Sequence, residues 1–142
     1  MLTCKVKAKS ASSTKTVAEA RGIQMIIDEP ENLGGTNAGA NPIEYLLAAL
    51  SGCLNVVSHG IAHEMGFELR GVDIELEGTL DPRGFSGKSP ETRAGFQEIK
   101  VILKPDADID ETTLQRWVKT VEQRCPVSDT IAHSTPLTIM LR

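Results

Sequence analysis

Hydrophobic and polar positions alternate from the start of the chain. The segments "TCKVKAKS", "TKTVAEARG" and "IQMIIDE" each read as a short strand, and three in succession predict an antiparallel meander. Residues 30–42, "PENLGGTNAGANP", concentrate Gly, Asn and Pro and read as a loop. The period then changes. At "NPIEYLL" Asn41 suits an N-cap, Pro42 the first helical position, and Glu44 the far side of a capping box. The helix is predicted to run to Met65, with Gly66 stopping it. Alternation returns in "ELRGVDIELEGTLD", and after the turn-rich "PRGFSGKSPET" the segment "RAGFQEIKVILKP" reads as its partner strand. In "DIDETTLQRWVKTVEQRC", Leu114, Trp117, Val118 and Val121 recur at helical spacing behind an acidic first turn. Pro126 interrupts that helix directly after Cys125, and "PLTIMLR" reads as a last short strand. Strand-rich parts flanking a central helix, with a second helix late in the chain, make the fold class α+β. There are no repeats or linkers, so residues 1–142 are expected to form a single domain.

The central helix is apolar on nearly every side: from Tyr45 to Ala62 it contains no Lys, Arg, Asp or Glu. Such a run also has the length of a membrane span. Ser51, Asn55, Ser58 and His59 interrupt it, however, and no second apolar segment accompanies it, so no membrane partner is expected. A helix apolar all round must be covered all round. Antiparallel sheets around a long central buried helix are expected. Ala48, Ala49, Ser51, Gly52, Gly60 and Ala62 leave room for a second helix to approach, which predicts a homodimer with two such helices packed together.

Composition narrows the function. A net charge of −4, with no Lys/Arg run, argues against nucleic acid as a partner. The amino-terminal "MLTCKVKAKS" lacks the apolar core of a secretion signal, so a cytoplasmic location is expected, where thiols stay reduced. Cys4, Cys53 and Cys125 form neither a C-x-x-C pair nor a zinc spacing, and no cofactor is expected. His59 and His63 have the i, i+4 spacing of metal ligands but no evident third ligand. His133 follows Cys125 closely, though spacing alone assigns it no role. "GGTNAG" lacks the spacing and the lysine of a phosphate loop, and Ser128 has no triad partner. Cys4 is expected to pack on the first strand. For Cys53, in the middle of the apolar helix with Leu46, Leu50 and Val57 on its face, two readings stand. It is a small buried hydrophobe, or it is a nucleophile.

A further pattern bears on that choice. "NPIEYLLAALSGC" is followed, 72 residues after its cysteine, by "CPVS", and "IDEPENLGGTNAGANP" precedes it. These segments, in this order of strands and helices, resemble the osmotically inducible protein C and organic hydroperoxide resistance (OsmC/Ohr) family over essentially the whole chain. The resemblance implies an OsmC-like fold in an intertwined homodimer with active sites at the interface. It also implies a thiol peroxidase of oxidative-stress defence whose substrate is an organic hydroperoxide. On that resemblance Cys53 is the peroxidatic residue and Cys125 the resolving thiol, and an external dithiol, a lipoyl protein in some relatives, restores the pair.

The chain departs from the family at one place. The family stabilises its thiolate with an arginine held by a glutamate directly after Asn-Pro, and here that position is Ile43. Glu44 stands one place further, about 100° around a helix. Residues 22–42 hold no arginine, and Arg21 is the one arginine of the amino-terminal strands. The candidate site is therefore Cys53, Cys125, Arg21 and Glu44. The alternative is a non-catalytic dimer that binds an apolar small molecule or serves as a slow redox sensor.

Overall fold

The structure is a computed structural model and describes residues 1–141; its contacts divide it into two units, residues 1–48 and residues 49 onward.

The first unit is the expected meander. Strands β1 (Lys7–Ser10), β2 (Thr16–Ala20) and β3 (Ile23–Ile27) pair antiparallel in the order β1-β2-β3, with Ala18 opposite both Ala8 and Met25. The β2–β3 connection has two residues, Arg21 at φ 53° and Gly22 at φ 81°. Left-handed backbone at both central positions is the geometry that matches the twist of a tight hairpin. Residues 1–6 precede the first strand and pair with nothing among the described residues. Cys4 is accordingly exposed, not packed on a strand as its alternation suggested.

Asp28 organises the loop that follows. Its side chain is fully buried and accepts hydrogen bonds from the Glu29 amide (2.9 Å), the Thr36 amide (3.0 Å), the Thr36 hydroxyl (2.6 Å) and the Ala38 amide (3.1 Å). The Thr36 hydroxyl, ahead of the opposing effect of burial and with the two amides adding to it, holds the carboxyl well below the usual carboxylate range. The glycine-rich loop is thus closed around an anion, with a single 3-10 turn at Glu31–Leu33. It delivers Asn41 to the start of helix α1 (Pro42–Met65). There the capping box forms as expected: Asn41 Oδ1 accepts from the Glu44 amide at 2.9 Å and Glu44 Oε2 from the Asn41 amide at 2.8 Å. Gly66, at φ 77°, ends the helix.

The second unit is built on the rest of α1. Strands β4 (Gly71–Thr79) and β5 (Glu98–Asp106) form a two-stranded antiparallel sheet in which Ile74 faces Leu103 and Leu76 faces Val101. A side chain at Gly78 would displace the Phe96 ring, since a Cβ there would lie 2.4 Å from it. The connection reads as a turn-rich loop but contains one helical turn, α2 (Pro82–Phe85), capped by Asp81. Helix α3 (Glu111–Arg124) is capped by Asp110, whose side chain accepts from the Thr113 amide at 2.7 Å. Trp117 and Val121 on α3 are buried with Leu50, Leu54, Ile61 and Ala62 on α1. The Trp117 indole N–H donates to the Ser58 carbonyl at 3.1 Å, so the largest core side chain also satisfies its polar atom.

Three expectations are revised. A short helix, α4 (Pro126–Ala132), follows α3 directly. The terminal strand is not formed: residues 134–141 pair with no strand, and Leu137 and Ile139 are 85% and 87% exposed. Arg142, the last residue of that segment, lies outside the described residues. Alternation describes two faces but supplies no partner edge, and without one the backbone groups face water. Finally, α1 is not covered all round by this unit, because Gly52, Val56, His59 and Gly60 stay exposed. It is also the one described helix long and apolar enough to cross a membrane by length and composition.

Two stability measurements follow. Asp28→Asn should lower Tm at pH 7 by several degrees. A depressed carboxyl contributes stability above its unfolded pKa of about 3.9 and loses it as the pH falls through the folded value. The Tm gap between wild type and variant should therefore narrow progressively below pH 4, and a constant gap would remove Asp28's charge from the account. In the second unit, Ser58 Oγ is buried and has no hydrogen-bond partner among the described residues. Ser58→Ala should raise stability by about 1 kcal/mol in urea unfolding, since it deletes an unsatisfied hydroxyl.

Candidate functional site

Cys53 and Cys125, 72 residues apart, meet in the second unit with their sulfurs at 3.1 Å. A disulfide bond measures about 2.05 Å, so the pair lies about one ångström from bonding. Local sequence explains how. Cys53 packs with Val57 against the core that Leu50 and Leu54 share with α3. Cys125 is the C-cap of α3 and the N-cap of α4, in extended backbone at φ −79° and ψ 110°. Its amide closes α3 by donating to the Val121 carbonyl at 3.1 Å. Pro126 cannot continue that ladder and is preorganised for the first position of the next helix. The cap of α4 is a sulfur: Cys125 Sγ accepts from the Ser128 amide at 3.4 Å.

The two thiols differ in exposure. Cys125 is fully buried, and Cys53 is half-buried and so the one within reach of a reagent. Burial pushes the Cys53 thiol up, the Val127 amide opposes this by donating to it, and Cys125 adds to the rise. No cationic side chain acts on it among the described residues.

The other two candidates belong to the first unit. Arg21 occupies the exposed β2–β3 turn and makes no ion pair among the described residues. Glu44 is engaged in the capping box through one carboxylate oxygen. It precedes Cys53 by nine residues of one helix, roughly 13.5 Å of rise and half a turn of rotation. Two of the remaining titratable candidates are engaged with other partners. His59 Nδ1 is 3.0 Å from the Asn55 carbonyl, and His133 pairs with Asp129 at 3.2 Å. No group of three metal-ligating side chains occurs among the described residues.

Two features escaped the sequence. The amides of Val127 and Ser128 face the sulfurs, and the signal for them was Pro126 in first-turn position behind Cys125. The second feature is a cleft of about 430 Å³ between α1, β5 and α3, walled by Leu50, Leu54, Leu103, Val118 and Val121. Glu122 and Ser128 are its polar lining residues. Neither cysteine lines it, but it adjoins them through Ser128, whose amide bonds Cys125, and through Leu50 and Leu54, which stand on either side of Cys53 along α1.

A close cysteine pair, one thiol half-buried and one buried, between a long apolar helix and a Cys-Pro helix start, with antiparallel strands on both sides of the long helix in the chain, defines a class of α+β thiol protein. The family model for OsmC-like protein matches residues 35–140, and the chain belongs to that family. Among solved structures it is similar to an OsmC-like protein from Mycoplasma pneumoniae, with 18% identity, TM-score 0.80, and 92% and 88% of the two chains covered. It is also similar to an organic hydroperoxide resistance protein OsmC from Legionella pneumophila, with 22% identity, TM-score 0.65, and 92% and 90% covered. A third similar structure is a putative organic hydroperoxide resistance protein from Vibrio cholerae with captopril bound in one of its active sites; identity is 17%, TM-score 0.63, and coverage 89% and 83%. These likenesses establish a shared fold. No curated protein sequence matches.

The thiol geometry has a direct consequence. One equivalent of a mild disulfide-forming oxidant should consume two of the three thiols and lower the intact mass by two hydrogens. Peptide mapping should find the Cys53–Cys125 bond, with Cys4 still free. A bond to Cys4 instead would contradict the geometry.

Proposed function

We propose that this protein reduces organic hydroperoxides with a two-cysteine cycle, as a homodimer in the reducing cytoplasm, with the whole chain acting as one domain. The observation that carries the reading is the 3.1 Å approach of Cys53 and Cys125 beside an apolar cleft. The Cys53 thiolate attacks the terminal peroxide oxygen and the O–O bond breaks. The alkoxide takes up a proton and leaves as an alcohol, and Cys53 becomes a sulfenic acid. Cys125 then attacks the sulfenic sulfur, water departs, and a disulfide forms. An external dithiol, such as a lipoyl group, is oxidised as it returns both cysteines to thiols.

In this reading Arg21 is the cation that favours the thiolate, and Glu44 steadies it through the carboxylate oxygen the capping box leaves open. The backbone supports a role for Arg21. A left-handed first turn position suits Asn, Asp or Gly better than Arg, and a side chain kept in disfavoured backbone points to work done by its charge. Arg21→Asn is therefore the separating variant. It should keep or slightly raise Tm while lowering kcat/KM for cumene hydroperoxide at least tenfold. Cys53→Ser should abolish turnover, and Cys125→Ser should accumulate a sulfenic acid that dimedone traps. Hydrogen peroxide should react more slowly than cumene hydroperoxide, and full activity in Cys53→Ser would end this reading.

One observation favours a second reading. Burial raises the Cys53 thiol, and an inert thiol beside an apolar cleft suits a ligand-binding dimer or a slow redox sensor. The pH dependence of Cys53 alkylation separates the two. A midpoint well below the ordinary value of about 8.5 supports the peroxidase, and one above it supports the binding module.

A further inference from the structure

The cleft has one charged lining residue, Glu122, and its walls are otherwise Leu, Ile and Val apart from Ser128. Glu122 stands on α3 one turn after Val118 and three residues before Cys125, towards the α4 end where Ser128 contributes the remaining polar group. It makes no ion pair among the described residues, and the nearest cation along α3 that lines a groove with it is Lys119, three residues before it. A neighbouring shallow groove shares Glu122 and Ser128; it adds Lys119 as a cation, but also Asp129, which pairs with His133. The apolar walls therefore meet a rim of mixed charge in which Glu122 is the one charged side chain lining the cleft itself.

Resting on the peroxidase reading above, we propose that Glu122 is a specificity-determining residue. The cleft admits hydroperoxides with uncharged carbon frameworks and disfavours those carrying a carboxylate near the reacting group. The physical argument is a comparison of two substrates of nearly one shape. Cumene hydroperoxide and its para-carboxylate present the same tertiary peroxide to Cys53 and a ring of the same width to the apolar walls. They differ by one anion several ångströms from the peroxide. Charges within the Debye length of about 8 Å at physiological salt still act on one another, so the exposed Glu122 carboxylate lining the cleft acts on an anion held in it. The redox step is the same for both: two electrons pass from the Cys53–Cys125 pair to the peroxide, releasing the alcohol and water.

The experiment measures kcat/KM for the two peroxides, with an external dithiol as reductant, in wild type and in Glu122→Gln. Wild type should prefer the uncharged substrate. In Glu122→Gln the preference should shrink at least threefold, mainly through a lower KM for the carboxylate. Raising salt to 0.5 M should shrink the wild-type preference and leave that of the variant nearly unmoved. A variant that loosened the helix without altering charge selection would lower both values together and show no difference in salt response. An unchanged ratio in Glu122→Gln overturns the proposal. The two corresponding alcohols, titrated by calorimetry, test the same selection without turnover. If neither peroxide is consumed but the alcohols are still discriminated in a Glu122-dependent way, the peroxidase reading fails and the charge selection stands. If turnover occurs and both alcohols bind alike in wild type and variant, the charge selection fails alone.

Discussion

The thiol pair depends on one contact away from it, the packing of Trp117 against α1 with its indole N–H on the Ser58 carbonyl. Trp117 is the largest fully buried side chain. Truncating such a residue typically costs about 3–5 kcal/mol, and a misplaced indole would also leave a buried donor unpaired. The two demands together select one register between the helices. Ser58 lies five residues after Cys53, and Trp117 eight before Cys125, so the register that satisfies the indole also brings the two sulfurs to bonding range. The chemistry is local, but its geometry is set by the core.

The junction at Cys125 adds the second constraint. One residue ends a helix and begins another, because Pro126 lacks the amide that α3 would need and has the φ that α4 requires. This leaves the free first-turn amides of α4 facing sulfur. In a buried setting that raises a thiol, such donors are the groups of this unit that act in the opposite direction. A cation added from elsewhere would act on a sulfur already held by main-chain donors.

The candidate site was legible unevenly. Asn41, Pro42, Glu44 and Gly66 marked the bounds of α1 because caps act through hydrogen bonds within a few residues, and the spacing of Trp117 and Val121 marked the buried face of α3 for the same local reason. Cys53 and Cys125 were named through a resemblance, since an isolated cysteine in an apolar helix looks the same whether it packs or reacts. The terminal strand and the packing of Cys4 were misread. Period-two alternation is a property of one segment, whereas a strand needs the edge of another. The helix α4 was missed because cysteine is an unusual cap and its role became visible only in the Ser128 amide pointing at sulfur.

By itself, then, the sequence determined what depends on neighbours along the chain: the caps and stops of the helices, the loop before α1, and the polarity of each face. Tertiary structure alone decided what depends on separations across it. The meeting of two thiols 72 residues apart, the enclosure of an apolar cleft with Glu122 at its edge, and the burial that raises Cys53 all belong to that set. The physical reason is range. A capping hydrogen bond or a left-handed turn is settled within four or five residues, while desolvation and sulfur–sulfur contact exist only once distant segments have excluded water from one another.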